Sequence, residues 1–169
     1  MKTVRSIKRI RSLIKKAKEK RMTIGFVPTM GALHQGHRSL LRRCRKENDF
    51  SVISIFVNPR QFGPREDYAQ YPRREKKDLD LARKEKIDVA FVPTAAEVYP
   101  NNFLTSIDVN DITSIMCGAS RPGHFKGVAT IVGKLLNIVQ PDDIYLGQKD
   151  AQQAVVLKKM IKDLNLEFI

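Results

Sequence analysis

Four short β-rich runs, at residues 23–27, 51–57, 88–92 and 143–147, are separated by stretches whose apolar residues recur at helical spacing. That alternation is the strongest constraint on the fold, because successive parallel strands need crossover connections, and helical crossovers cover the sheet on both faces. Ahead of the first run, Val4, Ile7, Ile10, Ile14 and Ala17 share one stripe, which predicts an amphipathic helix over about residues 3–20. Pro28 is expected to stop the first strand, since its ring removes a ladder donor and holds the preceding residue extended. Leu40, Leu41 and Cys44 mark a second helix, and Leu79 and Ala82 a third. Further helices are predicted at 127–139 and 150–163, after a less regular stretch at 99–123. The expected fold is α/β, a doubly wound, Rossmann-like parallel sheet with helices on both faces. Glu167, Phe168 and Ile169 read as the opening of another strand with nothing to follow it, so the chain reads as a fragment of a longer protein.

A length of 169 residues suits one domain, and 42% hydrophobic content is ordinary for a globular core. No apolar stretch approaches the roughly 18 residues needed to cross a bilayer. The basic start, MKTVRSIKRIRSLIKK, is too interrupted for a secretory signal. Cys44 and Cys117 belong to no CxxC or similar cluster, which argues against a disulfide framework or structural zinc and for a reducing, cytoplasmic setting. The net charge of +13 is compatible with nucleic acid, acidic membranes or phosphorylated small molecules. Much of it falls on Arg5, Lys8, Arg9, Arg11, Lys15, Lys16 and Lys18, and on Arg42, Arg43, Arg45 and Lys46, where a solvated helix face would lie. No aromatics interleave with these charges, so neither a nucleic-acid nor a membrane partner is expected.

Chemistry concentrates between the first strand and the second helix, in Pro28-Thr29-Met30-Gly31-Ala32-Leu33-His34-Gln35-Gly36-His37. Ligands of α/β sheets bind at the carboxyl ends of strands, and a helix starting near Gly36 aims unpaired N–H groups and a positive dipole at that crevice. Gly31 and Gly36 allow close backbone approach, and two imidazoles three residues apart can reach one anionic group from the same side. The inferred chemistry is stabilisation of charge developing on an α-phosphate, with His37 also able to donate a proton.

An HxGH after the first strand resembles the signature of the nucleotidyltransferase superfamily. Within it, VPTMGALHQGH, SIFVNPRQFGPREDYAQYPR, GASRPGHFKGVATIVGKLLNIVQPD and YLGQKDAQQ, in that order, are similar to the pantothenate synthetase family, over residues 23–163. The resemblance implies ATP-dependent condensation of pantoate with β-alanine through a pantoyl adenylate. ATP is then a substrate accompanied by Mg2+, with no prosthetic group, and the protein a homodimer. It also implies that Met30, Gly31, Ala32, Leu33, His34, Gln35, Gly36 and His37 hold ATP. His34 and His37 would lie on the phosphates, with His37 as proton donor. Gln61 corresponds to a pantoate ligand beside the β-alanine position, and Gln153 to a second pantoate contact. Gly147, Gln148, Lys149 and Asp150 occupy the second ATP-contacting segment, with Lys149 neutralising phosphate and Asp150 accepting from ribose. Gln148 stands where most relatives carry glutamate. His124 falls in a family segment without a direct role, and residues 62–74 are long enough for an active-site lid bordered by Tyr71 and Asp78. The metal ligands and the dimer surface stay open.

The resemblance further implies that residues 1–169 form the nucleotide- and pantoate-binding domain. A smaller carboxy-terminal lid domain would be absent, so turnover is expected to be weak. Two other readings remain at this point: a superfamily member with another substrate, and a basic α/β module that binds RNA through its first helix.

Overall fold

The computed structural model describes residues 1–63, 66, 68–114, 117–147 and 151–166. Among these, five parallel strands and seven helices alternate: β1 Lys2–Val4, α1 Ile7–Glu19, β2 Ile24–Thr29, α2 Gln35–Glu47, β3 Phe50–Ile55, α3 Glu75–Lys84, β4 Val89–Phe91, α4 Ala95–Val98, α5 Cys117–Ser120, α6 His124–Val139, β5 Asp143–Ile144 and α7 Ala151–Asp163. Two 3₁₀ turns, Pro59–Gln61 and Ile112–Ser114, lie in the connections. The fold is the expected α/β class. No described helix is long and apolar enough to cross a membrane.

The strand order is β1-β4-β3-β2-β5. From β2 the chain winds through β3 to β4 on one side, then crosses back to place β5 on the other, so the winding reverses beside β2. Such a reversal opens a crevice at the carboxyl ends of the strands. One face of the sheet packs Ile10, Ile14 and Ala17 of α1 against α6 and α7. The other packs Leu41 and Cys44 of α2 against Leu79 and Ala82 of α3.

Several boundaries differ from the sequence reading. The predicted helix at 3–20 divides into β1 and α1. Val4 is 7% exposed because it pairs with Phe91 of β4, and Ser6 then caps α1 by accepting from the Arg9 amide at 3.3 Å. Pro28 does not stop β2, which continues in register with β3 as Pro28 opposite Ser54 and Thr29 opposite Ile55. The reason is geometric: Phe26 accepts from the Tyr145 amide on the β5 side, and Pro28, two residues on, faces the same side beyond the last paired residues of β5. Its missing donor therefore breaks no ladder bond. The strands at 51–57, 88–92 and 143–147 are shorter or shifted, at Phe50–Ile55, Val89–Phe91 and Asp143–Ile144. Helix α6 begins at His124 rather than 127, and α4 and α5 are additions. The expected strand opening at 167–169 lies outside the described residues.

Candidate active site

At the end of β2 the Thr29 hydroxyl donates to the Ser54 carbonyl at 2.8 Å and accepts from the Gly31 amide at 3.2 Å, which turns the chain off the sheet. Gly31 and Ala32 then take left-handed conformations, with φ of 87° and 51°. For alanine that region costs roughly 1–2 kcal/mol. The turn is held by Asp78 of α3, 3% exposed, whose two carboxylate oxygens accept from the Ala32 amide at 2.9 Å and the Leu33 amide at 2.8 Å.

The chain next enters α2 through a reciprocal cap made by two histidines. His34 is the N-cap residue: its Nδ1 accepts from the Gly36 amide at 3.1 Å, while Nδ1 of His37 accepts from the His34 amide at 3.3 Å. This is the logic of a capping box with imidazoles in place of hydroxyl and carboxylate. The ring centroids lie 4.2 Å apart. An imidazole nitrogen that accepts carries no proton, so both neutral rings are Nε2–H tautomers. Two like donors are thus paired at the positive end of a helix, an arrangement suited to an anion.

The opposite wall is the 3₁₀ turn Pro59–Gln61. Asn58 caps it by accepting from the Arg60 amide at 3.3 Å. The Tyr99 hydroxyl donates to the same Asn58 oxygen at 2.8 Å, leaving Asn58 Nδ2 to donate to Gln61 Oε1 at 3.2 Å and to the Gly127 carbonyl at 3.0 Å. Burial pushes the Tyr99 phenol up to about 12, so it stays a donor at neutral pH. With Oε1 occupied, Gln61 turns Nε2 toward Met30, 2.7 Å from its sulfur. Gln61 is 7% exposed and offers an amide donor to the space beside it. Helix α6 approaches this turn closely at Gly127, where any Cβ would come within 2.2 Å of the Arg60 carbonyl oxygen.

Between the walls is a cleft of about 680 Å³, ample for a nucleotide-sized ligand. Met30, Gly31, His34, Gly36 and His37 line it from one side, Asn58 and Gln61 from the other, and Gly147 and Gln153 from the β5–α7 side. Val128, Ile131, Val132 and Leu135 of α6 add an apolar stripe. Tyr145 completes the β5 wall; its hydroxyl accepts from Asn48 Nδ2 and donates to Glu47, both at 2.8 Å. Tyr71 also reaches the cleft, its phenol raised by burial and by the charge of Asp78.

The structure therefore brings together His34, His37, Gln61, Gly147 and Gln153. Ala32, Leu33 and Gln35 are not among the cleft-lining residues. Gln148, Lys149 and Asp150 lie outside the described residues. His124 stands behind the wall: its Nδ1 is 2.8 Å from the Gln61 carbonyl and its Nε2 is 3.2 Å from Arg121. Because a carbonyl only accepts and a guanidinium only donates, the neutral ring is the Nδ1–H tautomer. Arg121 in turn pairs with Glu66, and Glu66 accepts from the Gly63 amide at 2.9 Å, which ties Gly63 and Glu66 to the start of α6. Sequence reasoning missed Asn58 and the α6 wall as site components. The spacing of Val128, Ile131, Val132 and Leu135 carried a signal for the wall, whereas Asn58 is defined by distant partners.

A family model described as Pantoate-beta-alanine ligase matches residues 2–169. Pantothenate synthetase of Caldicellulosiruptor saccharolyticus is 56% identical over 167 residues, spanning 99% of this chain and 59% of its own length. That of Moorella thermoacetica is 51% identical over 165 residues, spanning 98% and 58%. The crystal structure of pantothenate synthetase from Thermus thermophilus superposes with a TM-score of 0.94 at 45% identity, over 99% of this chain and 59% of that one. The structure of pantoate-beta-alanine ligase from Francisella tularensis complexed with beta-gamma ATP and beta-alanine gives 0.94 at 42%, over 99% and 64%. The chain thus spans less than two thirds of the length of these relatives.

Proposed function

The chain belongs to the pantoate-beta-alanine ligase family, and from that premise we propose that its cleft activates pantoate with ATP for condensation with β-alanine. A pantoate carboxylate oxygen attacks the α-phosphorus, the bond to the bridging β-phosphate oxygen breaks, and pyrophosphate leaves. The β-alanine amine then attacks the acyl carbon of the pantoyl adenylate, loses a proton, and AMP departs as pantothenate forms.

The observation that carries this reading is the meeting of the paired His34 and His37 with Gln61 and Gln153 in one cleft. The two Nε2–H groups and the α2 terminus suit the α-phosphate, where they stabilise the charge of the transition state. His37 is the proposed proton donor to the departing pyrophosphate, a role that takes a doubly protonated ring and so gives up the Nδ1 bond to the His34 amide. The amide donor of Gln61, with Gln153 across from it, suits the carboxylate and hydroxyls of pantoate, and the α6 stripe suits its branched apolar carbon. Gln61 also borders the β-alanine position. Met30, Gly31, Ala32, Leu33, Gln35, Gly36, Gly147, Gln148, Lys149 and Asp150 are proposed to complete the ATP site, with Lys149 on the phosphates. Magnesium would ride on phosphate oxygens and water, as suits a small cation that dehydrates reluctantly. Among the described residues no group of three or more His, Cys, Asp or Glu is placed to cage a metal.

Residues 1–169 are proposed as the nucleotide- and pantoate-binding domain. The further length of the relatives is proposed to supply a lid over ATP. The setting proposed is a cytoplasmic homodimer. The test is exchange of labelled pyrophosphate into ATP. Exchange that requires pantoate supports the reading; exchange driven equally by other carboxylic acids, or none with a chain shown to bind ATP, overturns it.

A further inference from the structure

Resting on the reading of the cleft as a nucleotide site, we propose that Asp78 is a positioning residue for that site. From the first turn of α3 it holds residues 31–33 in the left-handed turn that delivers His34 and His37 to the cleft. Three observations meet here. Both Gly31 and Ala32 have positive φ, and only one of them is a glycine. The amides of Ala32 and Leu33 both donate to the carboxylate of a residue 3% exposed and more than forty positions away. The fit is also close from the other side, since a Cβ on Gly31 would come within 3.0 Å of Asp78 Oδ2.

The contact has a second effect. Successive amides exposed in a left-handed turn form a nest that binds anions. Asp78 fills that nest with a carboxylate of the protein itself, supported by the N-terminus of α3. A phosphate is thereby left the next set of donors along the chain, the α2 terminus and the two imidazoles. Asp78 thus both shapes the loop and removes a competing phosphate position one turn short of the histidines. It lines the smaller neighbouring hollow, of about 230 Å³, and is not among the residues of the main cleft, so it acts through the loop rather than on the ligand.

The experiment measures ATP affinity by calorimetry, thermal stability, and NMR shifts of the Ala32 and Leu33 amides and of the His34 and His37 ring nitrogens. In Asp78→Asn, at most one of the two bonds survives, because the amide nitrogen would face an N–H. ATP affinity is expected to fall by about tenfold or more, with the two amide signals moving upfield. Adding Ala32→Gly, which takes positive φ without strain, is expected to restore several-fold of that loss. Unchanged affinity in Asp78→Asn, or a loss that Ala32→Gly leaves untouched, overturns the proposal. Should Asp78→Asn not fold, Asp78→Glu keeps the charge but lengthens the side chain against the turn: about fivefold weaker ATP binding supports the proposal and unchanged binding overturns it. If the unmodified chain binds no ATP, the nucleotide reading fails separately. The NMR shifts then decide about Asp78, a ring and amide pattern unaltered in the variant overturning its role.

Discussion

The two walls of the cleft are organised in opposite ways. On the β2 side, His34 and His37 are oriented by amides two and three residues away, so the donors and the helix that carries them are one local unit. On the facing side, Gln61 is oriented through Asn58 by Tyr99 and Gly127, and its backbone is held by His124, partners 38 to 66 residues farther along the chain. The first wall is built for charge, with donors at a helix terminus. The second is built for shape, with a single amide turned by buried neighbours beside an apolar stripe. Phosphate chemistry therefore needs only a short motif, while selection of the acid depends on how the whole sheet closes.

If the walls divide the work in this way, damage to the local one is the larger. His37→Ala removes one of the paired donors and half of the α2 cap, and pantoate-dependent exchange is expected to fall by about 10²-fold or more, read as kcat. Tyr99→Phe removes one part-buried hydroxyl and loosens Asn58, which keeps its bonds to Arg60, Gln61 and Gly127. It is expected to cost about 1 kcal/mol in stability and to raise KM for pantoate several-fold while the affinity for ATP holds. Equal effects on both substrates would show that the walls are not separate.

The smallest effect concerns the long-range brace behind the histidines. Glu85, after α3, pairs with Arg42 and Arg38 of α2 at 2.7 Å each. The hydrogen bond from Arg42, joined by that from Arg38, outweighs burial and holds the Glu85 carboxyl below its ordinary value. A depressed folded pKa adds stability above the unfolded value, near 4.5, and that stability is lost as pH falls through the folded value. Glu85→Gln is therefore expected to lower stability at pH 7 by about 1 kcal/mol or less, since both arginines are partly solvated, and to flatten the decline of melting temperature in acid.

The same contrast explains what was legible in the sequence. The alternation of strands and helices and the histidine cap depend on near neighbours, so fold class and the first wall could be read directly. The division of the first helix could not, because only Phe91, far along the chain, makes Val4 a strand residue. Pro28 misled for a related reason: whether its missing donor matters depends on where β5 ends. The motifs place His124 and Asp78 near the site, but their partners, the Gln61 carbonyl and the Ala32 and Leu33 amides, belong to other elements.

The pairing of β1 with β4 also sets a timetable. During synthesis Lys2–Val4 leave the ribosome before the other described strands, yet their partners Val89–Phe91 are more than eighty residues behind. At translation rates of about 5–20 residues per second, β1 waits several seconds for a mate, while β2 and β3, separated by one helix, can pair at once. The first of these strands to be made is thus among the later ones to dock, and its exposed Lys2 and Thr3 make it a poor template for joining another nascent chain in the meantime.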